Sequence, residues 1–510
     1  MNTYFTYNNP VIRGFYPDPS VCRANGKYYL VCSSFQYFPG IPLFESSDLL
    51  NWSQIGHVLT RESQLPLKGA DNCGGIYAPT IRFHNGSFYV TATNVNGTGN
   101  FFVRTDDICG EWSDPVPVDQ DGIDPSLYFE DDRVYFMSNH GNPDGTASIV
   151  QCRIDPVTGE KLEESRPIWN GCGGRYLESP HLYKINGWYY LLAAEGGTEY
   201  GHMVVLARGC TPYGPFENSP VSPVVSNRDL GGYPLQGTGH GDLVQDNFGN
   251  WWMVLLAFRQ VGQYLPFHHL GREVCLIPAY FMPNGWMKAG TNGKVYLENT
   301  VSRPCISQQN PLQDLYTFRN TSPGQEWVWL RNPDLSCYDF SRYVSDKPAL
   351  RLRGSETGLS DAEDSPAFLG LRQQEMNGKC QVTLKLSCYG EAGFTLYMNQ
   401  DAHYDFALLR QEEHTELILR RIVGDLTEIR RNKLPADTRD AILHISMNAL
   451  EYSFSAQTGD REISLGSAMT RYLSSEVACG FTGVMIGLYT ADTGDDWAEF
   501  TDFSYRPDRQ

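Results

Sequence analysis

Three carboxylates stand at matching places in this chain of 510 residues. Asp18 and Asp124 directly precede Pro19 and Pro125, and Glu178 lies one position further back from a third proline, Pro180. Carboxylates crowded together disturb one another's ionisation, so that one can keep its proton while another is charged. Inverting cleavage of a bond between two sugars needs that division: one acid protonates the leaving oxygen, and a carboxylate opposite it activates water. Each acid alone reads more simply. Asp-Pro is a common turn starter, and Glu178 would be a solvated edge residue. Their shared position in a repeat is what gives them chemical weight. Residue types alone leave Glu178 and the nearby Glu195 both open as proton donor.

The repeat is aligned on Pro19, Pro79, Pro125, Pro180 and Gly241, spaced 60, 46, 55 and 61 residues apart. Each anchor is followed by an apolar run, a turn and an aromatic strand, with Tyr29, Tyr89, Tyr135, Tyr190 and Trp251 ten residues on. Three of the turns are Asn25-Gly26, Asn85-Gly86 and Asn186-Gly187. Asn-Gly supplies the positive φ angles of a two-residue hairpin. Later strands follow at Pro42–Ser46, Phe101–Arg104, Ser148–Gln151, Met203–Leu206 and Glu273–Leu276, and no helical period is sustained. Five all-strand units of this length predict a five-bladed β-propeller over residues 1–305. A pair of β-sandwiches is the other arrangement considered, but it does not require one turn type at one repeat position. In a propeller the first strand of each blade lines the axis. The residues just before the anchors (Asp18, Ala78, Asp124, Ser179 and His240, with Glu178 beside them) would therefore converge on one funnel.

Residues 306–315 are polar and proline-marked, as a linker would be. Beyond them, Leu350–Arg353, Cys380–Leu386 and Leu417–Ile422 alternate polar and apolar residues, which predicts a C-terminal β-sandwich over 316–510. The fold class is thus all-β.

With 40 Lys and Arg against 59 Asp and Glu, the net charge is −19, which disfavours nucleic acid and anionic membrane surfaces as partners and suits a neutral ligand. Met1–Tyr7 has neither a basic nor an apolar leader-like region, and no stretch has the roughly 20 apolar residues of a membrane span, so a cytoplasmic location is expected. The 13 cysteines are odd in number, scattered and without a CxxC pair, which argues against a disulfide framework and against a zinc site.

Taken together, Gly14-Phe15-Tyr16-Pro17-Asp18-Pro19-Ser20, Tyr77-Ala78-Pro79, Gly122-Ile123-Asp124-Pro125-Ser126-Leu127, Glu178-Ser179-Pro180-His181-Leu182-Tyr183-Lys184, Ala194-Glu195-Gly196-Gly197-Thr198, Gly239-His240-Gly241 and Leu270-Gly271-Arg272-Glu273 resemble glycoside hydrolase family 43. The likeness is to its β-xylosidase and α-L-arabinofuranosidase branch, and Glu391–Phe394 through His403–Asp405 resembles that branch's concanavalin-like C-terminal domain. The resemblance implies inversion with Asp18 as general base, Glu178 as general acid, and Asp124 orienting Glu178 and raising its pKa. It implies that Arg272 contacts the sugar and Asp124, that His240 lies near the funnel floor, and that Phe35, Tyr77 and Thr198 line the sugar pocket. A sandwich loop would close one side of that pocket, though the motifs do not say which residue. No cofactor is required, a structural calcium ion on the axis near His240 is compatible with the family, and a homo-oligomer is expected.

Tyr77 stands where many β-xylosidases of the branch have Trp, and Phe35-Gln36-Tyr37 replaces a more usual Phe-Glu-Trp. Ile123-Asp124-Pro125 is nearer to a sister subgroup with arabinofuranosidases. These departures bear on substrate choice. The expected activity is release of xylose from the non-reducing ends of β-1,4-xylo-oligosaccharides, with α-L-arabinofuranosidase activity beside it. A dedicated arabinofuranosidase and a non-catalytic sugar-binding propeller are the rivals. The Trp-x-Asn-Asp-Pro signature of retaining sucrose- and fructan-cleaving propellers is absent.

Overall fold

The computed structural model describes residues 4–302, 308–311, 313–318, 323–344, 347–354 and 356–508. Parts of the expected linker (306–307 and 312) lie outside the described residues. The Asn-Gly pairs act as the hairpin geometry demands. Asn25 and Gly26 have φ of 50° and 79°, Asn85 and Gly86 49° and 88°, and Asn186 and Gly187 53° and 83°. Two positive φ angles in a row match the right-handed twist of the flanking strands.

Each of these hairpins opens a four-stranded antiparallel sheet, and among the described residues there are five such sheets. Their innermost strands are Ser20–Ala24, Thr80–His84, Ser126–Glu130, Glu178–Ile185 and Leu235–Gln245. Each touches the next, and the fifth touches the first, so the sheets are blades around one axis. The ring is latched by Tyr4–Asn8, which pairs antiparallel with Glu298–Ser302. Apolar side chains fill the spaces between blades: Val31, Leu43, Val90 and Val103 belong to one such core, and Leu192, Leu206, Leu255 and Ile277 to another.

The C-terminal domain is a sandwich of an eight-stranded and a six-stranded sheet. Strand Asn377–Leu386 shows why its sequence alternates, since every second residue is buried against the opposite sheet. Phe394, Leu396, Leu443, Phe500 and Tyr505 are fully enclosed there.

The two domains are stitched by backbone and charge. Tyr37–Phe38 of the first blade pairs with Trp329–Leu330 of the sandwich. Arg259 bridges Glu273 of the fifth blade, at 2.7 Å, and Glu375 of the sandwich, at 2.6 Å. Near the funnel the sandwich segment 475–484 lies along the fifth blade, with the Val484 amide donating to the His269 carbonyl at 2.9 Å.

Candidate active site

At the blade anchors the chain does something that ordinary strands do not. Asp18, Asp124, Ser179 and His240 all have positive φ, between 51° and 56°. A left-handed residue at the start of the inner strand kinks the backbone and re-aims the side chain beside it. In the first blade the Ser33 amide closes this kink by donating to the Pro17 carbonyl, and in the third the Asn139 amide donates to the Ile123 carbonyl, both at 3.1 Å. Gly122 is required two residues before Asp124, because a Cβ there would lie 1.7 Å from the Asn139 carbonyl oxygen. In the fourth blade the left-handed residue is Ser179, and a bulge separates the pairings of Glu178 and His181. That bulge explains why this blade presents its acid one position earlier than the other two.

Asp18 is buried and firmly held. Ser33 Oγ donates to its Oδ2 at 2.6 Å and Arg272 Nη1 to its Oδ1 at 2.9 Å. The ring of His240 stands with Nδ1 3.7 Å from Oδ1. Burial works to raise the Asp18 pKa, but Arg272, His240 and the Ser33 hydroxyl outweigh it and hold the carboxyl below its ordinary value. Asp18 is therefore a carboxylate.

Glu178 has the opposite surroundings. Burial and the negative charge of Asp18 push it up to about 7, against the opposing pull of Arg272. Burial and the charges of Glu178 and Asp18 hold Asp124 well above the usual carboxylate range. Asp124 and Glu178 thus behave as a pair that keeps a proton near neutrality instead of ionising twice. His202 stands beside Glu178, with Nε2 3.9 Å from Oε1. His202 Nδ1 donates to the Gly237 carbonyl at 3.2 Å, which leaves Nε2 as an acceptor facing the acid. Burial drives the His202 pKa down to about 3, so the ring is neutral and favours a protonated Glu178. One carboxyl is kept charged and the other kept protonated within one hollow.

The expected pocket residues gather around Arg272. Its Nη1 also donates to Thr198 Oγ1 at 2.7 Å. The guanidinium lies 5.8 Å from the centre of the Phe35 ring, and Phe35 packs on Tyr77 at 5.3 Å. Contrary to expectation, Arg272 makes its hydrogen bond to Asp18 and reaches Asp124 only through charge, because the Asp18 kink brings that carboxylate to the arginine first. His240 is buried beside Asp18, as a funnel-floor residue would be. Glu195, the other candidate for the proton donor, is 1% exposed and bonded to the Cys172 and Gly174 amides at 2.6 and 3.0 Å. It braces the loop ahead of Glu178 and does not face the hollow.

Three participants carried no signal in the sequence. Ser33 and His202 are two. The third is Phe481 of the sandwich, whose ring lies 5.9 Å from Phe35 and 6.2 Å from Tyr77 and whose carbonyl accepts from Arg272 Nη2 at 3.1 Å. Its amide is fixed by Cys73 Sγ at 2.8 Å. This is the residue by which the second domain closes one side of the pocket.

Below the acids the axis is already filled by the protein's own cation. Arg82 spans Asp242 at 2.8 and 3.2 Å, and its Nη2 meets His181 Nδ1 at 3.0 Å. A guanidinium only donates, so His181 carries its proton on Nε2, which has no hydrogen-bond partner among the described residues and cannot ligate a metal in that form. Asp242 is further saturated by Ser20 Oγ at 2.6 Å, the Val21 and Leu243 amides and the Tyr183 hydroxyl. Arg82 and the saturated Asp242 themselves therefore do not fit a calcium ion. Among the described residues no group of three His, Cys, Asp or Glu side chains is arranged to hold any metal.

Comparison with known proteins agrees with this geometry over the whole chain. Residues 7–287 match the family described as glycosyl hydrolases family 43, and residues 316–506 match the β-xylosidase C-terminal concanavalin A-like domain. The chain is 39% identical to the non-reducing end α-L-arabinofuranosidase BoGH43B of Bacteroides ovatus, covering 97% of this chain and 94% of that one. It is 34% identical to a xylosidase/arabinosidase of Butyrivibrio fibrisolvens, covering 98% of each. Among solved structures, the xyloglucan PUL GH43B of Bacteroides ovatus superimposes with a TM-score of 0.91 at 36% identity, covering 99% of this chain and all of that one. A xylan β-1,4-xylosidase from Bacillus halodurans does so with a TM-score of 0.89 at 28% identity, covering 98% of this chain and 99% of that one. With its acids divided between charged and protonated forms on a propeller, the chain belongs to glycosyl hydrolases family 43 and is a glycoside hydrolase.

Proposed function

We propose that this glycoside hydrolase removes single xylose units from the non-reducing ends of β-1,4-xylo-oligosaccharides with inversion, and also accepts terminal α-L-arabinofuranose. The observation that carries the mechanism is the contrast in surroundings: Arg272 at 2.9 Å and Ser33 at 2.6 Å hold Asp18 as a carboxylate, while Glu178 is half-buried beside a histidine that faces it with an acceptor nitrogen. Asp18 takes a proton from a water molecule as its oxygen bonds to the anomeric carbon. The bond from that carbon to the glycosidic oxygen breaks, and Glu178 delivers its proton to that oxygen. Arg272 keeps Asp18 charged and, with Thr198, borders the glycone site. The aromatic corner of Phe35, Tyr77 and Phe481 blocks one side, which supports removal of end units over internal cleavage.

No cofactor enters these steps, and Arg82 supplies on the axis the positive charge that a cation would otherwise bring. The free thiols of the described cysteines support action in the reducing cytoplasm on short imported substrates. We further propose that the protein assembles as a homo-oligomer, measurable by light scattering.

The deciding experiment follows xylobiose hydrolysis by NMR. Inversion requires α-xylose as the first product, and initial β-xylose overturns it. A dedicated arabinofuranosidase is the second reading, favoured by Tyr77 in the pocket wall and by the 39% identity to the Bacteroides ovatus enzyme. Comparing kcat/KM on the two nitrophenyl glycosides separates them. A sugar-binding protein without catalysis would turn over neither.

A further inference from the structure

Two residues before Glu178 the chain presents Tyr176, 61% exposed and with φ of 55°. A bulky side chain in the left-handed region is an outlier that its surroundings must enforce, and such outliers gather at functional sites. The enforcement is visible. Leu177, between the two, is buried in the core of the fourth blade, which pins the backbone. The ring of Tyr176 lies against Gly197, where a Cβ would come within 2.9 Å of Cδ2. Gly197 itself has φ of 77°, so the position suits glycine on both counts. Thr198, the next residue, holds Arg272. Tyr176 therefore stands at the rim between the proton donor and the glycone wall.

Arg175 lies 5.2 Å from the centre of the Tyr176 ring and is itself tied down by Glu199 and by the Gly196 carbonyl, the latter at 3.0 Å. One face of the phenol ring is thus backed by a fixed cation while the side chain stays largely open to solvent. An exposed, braced aromatic plane beside the proton donor is suited to a sugar ring, whose C–H groups carry partial positive charge and meet the negative π-face. The proton donor acts on the leaving oxygen, so a ring beside it contacts the leaving group and not the sugar held by Arg272.

We propose that Tyr176, backed by Arg175, is the binding platform for the leaving-group sugar, a pyranose of the oligosaccharide on the far side of the cleaved bond. This rests on the hydrolytic reading above. The test compares xylobiose, whose leaving group is a sugar ring, with β-D-xylopyranosyl fluoride, whose leaving group has no ring. In Tyr176→Ala the ratio of kcat/KM on xylobiose to that on the fluoride falls about tenfold, as loss of one aromatic contact predicts. Tyr176→Phe, which keeps the plane, keeps the ratio. An unchanged ratio in Tyr176→Ala, with the wild-type enzyme active on both, overturns the platform and leaves the hydrolytic reading standing. A wild-type protein that hydrolyses neither compound overturns the xylosidase reading, and the platform for a xylo-oligosaccharide leaving group with it.

Discussion

Asp18 and Asp242 are both buried carboxylates near the propeller axis, and both are paired with an arginine. Asp242 is surrounded by donors from the first, second, fourth and fifth blades, which hold it well below the usual carboxylate range despite its burial. Asp18 has two donated hydrogen bonds and a histidine just out of bonding range. The same pairing of residue types gives a structural rivet where every lone pair is engaged, and a base where some capacity is left for water. What separates the two is saturation, not burial or charge.

The comparison is broken or sharpened first by exchanging each acid for its amide. Asp18→Asn lowers kcat about a thousandfold or more, and lowers Tm by less than Asp242→Asn, because the loss of Arg272's counter-charge is offset by relief of the repulsion that Asp18 exerts on Glu178 and Asp124. Asp242→Asn leaves Arg82 short of its counter-charge and lowers Tm by roughly 10 °C, while the folded fraction keeps most of its turnover. If Asp242→Asn abolished turnover without loss of Tm, the distinction between rivet and base would be wrong.

A smaller effect belongs to the proton donor. Glu178→Gln slows xylobiose hydrolysis about a hundredfold, and the defect shrinks on xylosyl fluoride because fluoride leaves with little need of a proton. Equal defects on both would mean that Glu178 does not act on the leaving group.

Next comes the pH profile. Activity needs Asp18 charged and Glu178 protonated, so kcat/KM is lost on the alkaline side near pH 7 and on the acid side only below the ordinary carboxylate range. In Asp124→Asn the alkaline limb stays near pH 7, because burial and the charge of Asp18 are what raise Glu178 and Asp124 is neutral when Glu178 titrates. A limb that moves to lower pH would mean that a charged Asp124 helps hold the donor's proton. The smallest expected effect is that of a chelator: EDTA leaves both kcat and Tm unchanged, since Arg82 holds the axis.

Much of this was legible in the chain because it is local. Asn-Gly can be read directly as a hairpin, and an acid beside an anchor proline is a signal carried by two or three adjacent residues in each repeat. The alternation in Cys380–Leu386 gives a half-buried strand without any knowledge of its partner. What could not be read is long-range. Ser33 is one of many serines until the kink at Asp18 brings it to 2.6 Å. Phe481 is some 400 residues from the Cys73 that fixes it. Arg272 could be expected at the sugar, but its choice of Asp18 over Asp124 depends on side-chain directions that only the left-handed anchors decide. The left-handed Ser179 and its bulge likewise re-aim Glu178, while Glu195 is spent on the Cys172 and Gly174 amides, a difference that composition does not show.

The latch between Tyr4–Asn8 and Glu298–Ser302 has a consequence for how the enzyme comes into being. Asp18 is synthesised well before Glu298–Ser302, so the strand Tyr4–Asn8 beside it has no mate until the fifth blade has been made. Phe481 arrives later still. At 5–20 residues per second this delay is roughly 25–100 s. For that interval the nascent chain carries unpaired strand edges, and a messenger cut before the codon for Phe481 yields protein whose pocket lacks that wall, however many blades it has completed.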